Sequence, residues 1–136
     1  MTPDLEPLSE AYRSRVLVVD DDRHIAEFIS MFLTYKGYDV SVAYSGVEAL
    51  AKAKEWRPHL MLLDIVMPEM DGMETLRQLR EFDEDVCVMM VTGVDDLEMG
   101  RRALMLGAVD YITKPLDLDY LEQSVLVKMK ALLNDI

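Results

Sequence analysis

The segment RVLVVDD, residues 15–21, is a continuous apolar run that ends in acid. Three later segments repeat the form, an apolar run with polar chemistry at its end: HLMLLD (59–64), VCVMMVTG (86–93) and DYITKP (110–115). Runs such as VLVV, LMLL and VMMV do not alternate, as expected of strands covered on both faces. Helical spacing fills the gaps. Asp22 is placed to cap a helix with Ile25, Phe28, Ile29, Phe32 and Leu33 on one face, closed by Gly37. YDVSVAY (38–44) adds a strand, and Ser45 with Glu48 forms a capping box for a helix stopped by Pro58. Asp71 opens a third helix carrying Leu76 and Leu79, and Asp95 or Asp96 a fourth that stops at Gly107. Asp117 caps a last helix with Leu121, Val125, Met129 and Leu132 on one face. The order is strand then helix, five times over, which predicts an α/β fold with a parallel sheet and helices on both sides. Periodicity leaves the strand order open.

In an open parallel sheet the carboxyl ends of the strands lie along one edge, where ligands bind. Asp20, Asp21, Asp64, Thr92 and Lys114 all stand at or just beyond such ends, so they are expected to converge. Three close carboxylates resist full ionisation unless a cation joins them. Oxygen-only ligands suit a hard ion such as Mg²⁺, and a lysine and a threonine beside it can both bond a phosphoryl group. The set predicts phosphate chemistry with an aspartate as nucleophile. Taken singly, an aspartate after a strand is ordinarily a helix cap, a lysine a solvated charge and a threonine a plain strand residue. The combination is what outweighs those readings.

At 136 residues the chain reads as one domain with a real core, preceded by an arm over residues 1–14. The apolar fraction of 51% and charged fraction of 29% fit a soluble globular protein. A net charge of −12 repels phosphate backbones and anionic lipid, which argues against direct nucleic-acid or membrane binding. No run is long enough to span a bilayer. The one cysteine, Cys87, cannot form an intramolecular disulfide, which fits a cytoplasmic location, and it reads as a small buried hydrophobe. His24 and His59 read as isolated surface residues, and the 11 methionines mainly as core filler.

The motifs VLVVDDD, LMLLDIVMPEMDG, MMVTG and GAVDYITKP, in this order and at these separations, resemble the receiver domain of bacterial two-component response regulators. The resemblance covers about residues 15–134 and places a receiver domain over 15–136. It implies a flavodoxin-like fold with strand order 2-1-3-4-5. Asp64 matches the phosphoaccepting aspartate, Asp20 and Asp21 the acidic pair that holds Mg²⁺, and the Val66 backbone carbonyl a third protein oxygen on that metal. Thr92 matches the switch hydroxyl, Lys114 the phosphate-binding lysine, Tyr111 the switch aromatic and Pro115 the proline after the lysine, often in a cis peptide. The implied donor is a sensor histidine kinase or phosphotransfer protein. The implied readout is a change in the fourth helix, fifth strand and fifth helix, serving an output partner, an output domain or a phosphorylation-enhanced homodimer. Val66 and Val94, apolar beside the acceptor and the switch threonine, predict slow autodephosphorylation, because neither offers a bond to orient water.

Two other functions compete. One is a Mg²⁺-dependent phosphohydrolase, since Asp20 and Asp22 have the spacing of the aspartate pair in haloacid-dehalogenase-type phosphatases. That family expects Thr or Val where this chain has His24. The other is an unphosphorylated pseudo-receiver scaffold, against which the complete acid, threonine and lysine set stands. Whether the domain acts alone or within a longer regulator is left open by the sequence.

Overall fold

The computed structural model describes residues 14–93 and 97–134. Its strands are β1 (Arg15–Val19), β2 (Asp39–Ala43), β3 (Leu60–Leu63), β4 (Cys87–Thr92) and β5 (Asp110–Thr113). Its helices are α1 (Arg23–Tyr35), α2 (Gly46–Trp56), α3 (Gly72–Phe82), α4 (Leu97–Met105) and α5 (Leu118–Asn134). All the strand pairs are parallel and the order is β2-β1-β3-β4-β5. The expected fold class and strand order therefore hold. The expected arm lies outside the described residues except Ser14, which is buried and accepts the Asp39 N–H at its carbonyl.

The two-residue period of each strand divides the core in two. Leu17, Val19, Met61, Leu63, Val88 and Met90 face the side covered by α2, α3 and α4. Val16, Val18, Leu60, Leu62, Met89 and Val91 face the side covered by α1 and α5. Both faces of β1 and β3 are dry, which is why their sequences do not alternate. Helix caps follow the predicted residues. Asp22 accepts the N–H groups of His24 and Ile25, Ser45 that of Glu48, Asp71 that of Glu74 and Asp117 that of Tyr120.

Two expectations need correction. Phe28 is not a core residue: it is 56% exposed. The inward stripe of α1 is Ala26, Ile29 and Leu33, narrower than the apolar count suggested, and Phe28 falls at its edge. His59 is half-buried and bonded, because it closes the leading end of the sheet. Its Nδ1 accepts the Arg15 N–H at 2.9 Å while its own N–H reaches the Arg15 carbonyl. Burial, then the Arg15 charge, lowers the His59 pKa. The Arg15 guanidinium completes this end by donating to the carbonyls of Trp56 and Arg57.

Candidate functional site

Sheet pairing alone brings two of the carboxylates together. The Asp20 N–H donates to the Ala43 carbonyl and the Asp64 N–H to the Val19 carbonyl, so the ladder extends one residue past β1 and β3. Asp20 and Asp64 thus emerge from adjacent central strands, 3% and 5% exposed. Lys114 follows β5 and reaches back across the edge. Its Nζ donates to Asp20 Oδ2 at 2.9 Å and to Asp64 Oδ2 at 3.4 Å. The other oxygens take backbone donors, the Asp22 N–H on Asp20 Oδ1 and the Val66 N–H on Asp64 Oδ1.

Burial, and then the neighbouring Asp20 charge, push the Asp64 pKa up to about 6, against the pull of Lys114. For Lys114 burial opposes the charge, but the hydrogen bond to Asp20 and the two carboxylate charges outweigh it, so its pKa is raised. Asp21 is exposed, yet it brings one carboxylate oxygen into a set with Asp20 and Asp64 whose atoms all lie within 4.8 Å of one another. An all-oxygen donor set with an open side fits Mg²⁺, which keeps several waters and takes one or two carboxylates.

The remaining predicted residues are placed as follows. Thr92 ends β4, with its Cα paired to that of Thr113, one residue before Lys114; its side chain lies outside the described residues. Val94, Asp95 and Asp96 also lie outside them. Val66 stands at the mouth, 58% exposed. Lys114–Pro115 is a cis peptide. Tyr111 is half-buried against the layer formed by α2, α3 and α4.

The loop after Asp64 shows why Gly72 is there. A Cβ on Gly72 would collide with the Asp64 carbonyl oxygen, and the Gly72 N–H bonds the Ile65 carbonyl at 2.7 Å. α3 therefore begins hard against the backbone of the acid. Glu69, in the same loop, has φ 68°, a left-handed conformation that favours glycine. Sequence reasoning missed the apolar cleft of about 610 Å³ beside Lys114, lined by Ile25, Phe28, Ile29, Pro115 and Leu116. The signal for it was Phe28, an aromatic one position off the buried stripe.

The family model for the response regulator receiver domain matches residues 16–126. Response regulator MprA of Mycobacterium avium (strain 104) is 41% identical over 119 residues, 88% of this chain and 50% of that protein. The chain thus spans about half the length of the curated relatives it matches. Among solved structures, a CheY-like response regulator receiver domain protein from Methanospirillum hungatei JF-1 superposes with TM-score 0.86. It is 32% identical, over 90% of this chain and 98% of that one. The Francisella response regulator 1452 receiver domain gives 0.82 at 34% identity, over 88% of this chain and 98% of that one. A chain of the CheX-CheY-BeF3-Mg+2 complex from Borrelia burgdorferi gives 0.80 at 32% identity, over 83% of this chain and 87% of that one.

Proposed function

The chain belongs to the response regulator receiver family of two-component systems, a phosphoacceptor signalling module, and from that premise we propose Asp64 as its acceptor. The observation that carries this is the convergence of Lys114 on Asp20 and Asp64 at the carboxyl edge of the sheet. Asp64 Oδ attacks the phosphorus of a phosphohistidine on a sensor kinase or phosphotransfer protein. The P–N bond breaks, and the histidine nitrogen leaves with its electron pair and takes up a proton. An acyl phosphate forms on Asp64. Lys114 has two roles: it offsets charge between the carboxylates before transfer, and it bonds a phosphoryl oxygen after it. Asp20, Asp21, Asp64 and the Val66 carbonyl would hold Mg²⁺, which when bound supplies further charge stabilisation to the phosphoryl oxygens. Asp22 and Val66 orient the acids through their N–H groups. The apolar cleft at Phe28 and Pro115 flanks Lys114.

The role is regulatory. Transfer biases Thr92 and Tyr111 toward a second arrangement, and the face built from α4, β5 and α5 carries it to an output partner, an output domain or a second copy. Slow autodephosphorylation resets the module, with Val66 apolar at the mouth of the site. The test is labelling with acetyl phosphate and Mg²⁺ followed by mass spectrometry. One phosphoryl group is expected, on Asp64, and none in an Asp64→Asn protein. Full labelling of that variant sinks the assignment, and steady turnover of a small phosphate ester would favour a hydrolase instead.

A further inference from the structure

We propose that the apolar cleft beside Lys114 is a leaving-group subsite, through which Asp64 takes its phosphoryl group from small acyl phosphates of aromatic carboxylic acids. The proposal rests on the phosphoacceptor reading and adds to it a preference among small donors. The cleft encloses about 610 Å³, within the range of small-molecule sites. One wall comes from α1, through Ile25, Phe28 and Ile29; the other is Pro115 and Leu116, which follow β5. Phe28 is exposed, so its ring is free to serve as a wall of the cleft rather than as part of the core. The polar residues of the lining are His24 and Lys114. Both can donate hydrogen bonds to an anion, and neither is an acid. The cleft therefore fits an apolar group that carries an anionic head.

Lys114 joins this cleft to the reacting centre. It lines the cleft, and its Nζ donates to Asp20 Oδ2 at 2.9 Å and to Asp64 Oδ2 at 3.4 Å. A phosphoryl group held at Lys114 therefore stands at the inner end of the cleft. In-line displacement puts the leaving oxygen opposite the attacking one. Asp64 is buried at the sheet edge and does not line the cleft, so the leaving group points outward. On the Lys114 side it meets the apolar walls. The bond from Asp64 Oδ to phosphorus forms and the P–O bond to the acyl oxygen breaks. The carboxylate departs with the electron pair, so no proton is needed. His24 and Lys114 are placed to receive that carboxylate. The methyl group of acetyl phosphate covers little of the cleft, whereas a phenyl ring covers both walls and gains from the burial.

The test compares benzoyl phosphate with acetyl phosphate as donors to the full chain in Mg²⁺, read as initial rates of Asp64 labelling by mass spectrometry. Benzoyl phosphate should be preferred by about tenfold or more, the lower end of what one well-placed apolar group contributes in a fitted pocket. Phe28→Ser should lose most of that preference and Phe28→Leu should keep most of it. Taking the ratio within each protein removes differences in donor reactivity and in folded fraction. Phenylphosphonate, which cannot transfer its phosphoryl group, gives a second readout. In Mg²⁺ it should shift the amide resonances of Phe28 and Leu116 and bind more tightly than methylphosphonate. Equal rates with the two donors, a preference unchanged by Phe28→Ser, or shifts that miss Phe28 and Leu116 overturn the subsite, while labelling by acetyl phosphate still upholds the acceptor. Labelling by neither donor overturns both readings. A Phe28→Ser protein that loses transfer from a phosphohistidine protein yet keeps its benzoyl preference assigns Phe28 to protein docking, and so overturns the subsite as well.

Discussion

Asp64 is held between opposing influences, and its proton reveals the balance. Its folded pKa of about 6 exceeds the ordinary value of 3.8, so the native state binds more protons between those two values. Stability contributed by this group therefore falls as pH rises through that window. A bound cation reverses the trend, because it needs the carboxylate. The rise in melting temperature with Mg²⁺ should be clear at pH 7.5, where about ten times Kd adds roughly 1.4 kcal/mol, and much smaller at pH 5. Asp21→Ala should shrink the pH 7.5 shift as well. A shift independent of both pH and Asp21 would remove these acids from the metal site. Asp20, Asp64 and Lys114 were legible in the sequence because strand ends announce themselves as apolar runs that stop at a charge. The close approach of Gly100 to the Tyr111 ring was not legible, since the two lie 11 positions apart and only the fold brings them together.

Helix placement fixes the site as firmly as the strands do. α3 starts at Gly72, where any side chain meets the Asp64 carbonyl. Gly72→Ala should therefore destabilise the protein by about 1–3 kcal/mol, the usual range for overpacking, and reduce Asp64 labelling at temperatures where it stays folded. Denaturant melts and acetyl phosphate labelling check both parts. Retained stability and labelling would mean that the loop yields freely. At this scale the sequence told caps and strand cores well, because both are local. It did not tell how wide the buried stripe of α1 is, since Phe28 and Ile29 are equally apolar and only the packing of α1 on β1 and β2 separates them. Nor did periodicity give the strand order, which depends on pairing between distant segments; the family resemblance supplied it.

The whole molecule carries a net charge of −12, and this bears on how it can self-associate. The proposed output face exposes Met105, Val109, Tyr120 and Val127. Arg101 lies 3.6 Å from Glu98 on its own helix. Two such copies repel at long range and attract through apolar contact. Dimerisation in beryllofluoride and Mg²⁺ should thus strengthen from about 0.05 to 0.5 M salt, as the repulsion is screened. Val127→Glu should weaken it. Sedimentation velocity reads both, and a dimer that weakens with salt would point to ion pairs instead. The clamp of Arg15 on the Trp56 carbonyl has a practical side. It fixes the chain's 1 tryptophan at the leading end of β1, a strand of 5 residues, with Asp20 beyond the other end. At about 3.3 Å per residue the indole is far from the acids, across a rigid strand. Its emission should change on denaturation and stay dark to beryllofluoride, so an optical reporter of signalling requires a second indole grafted near Val66.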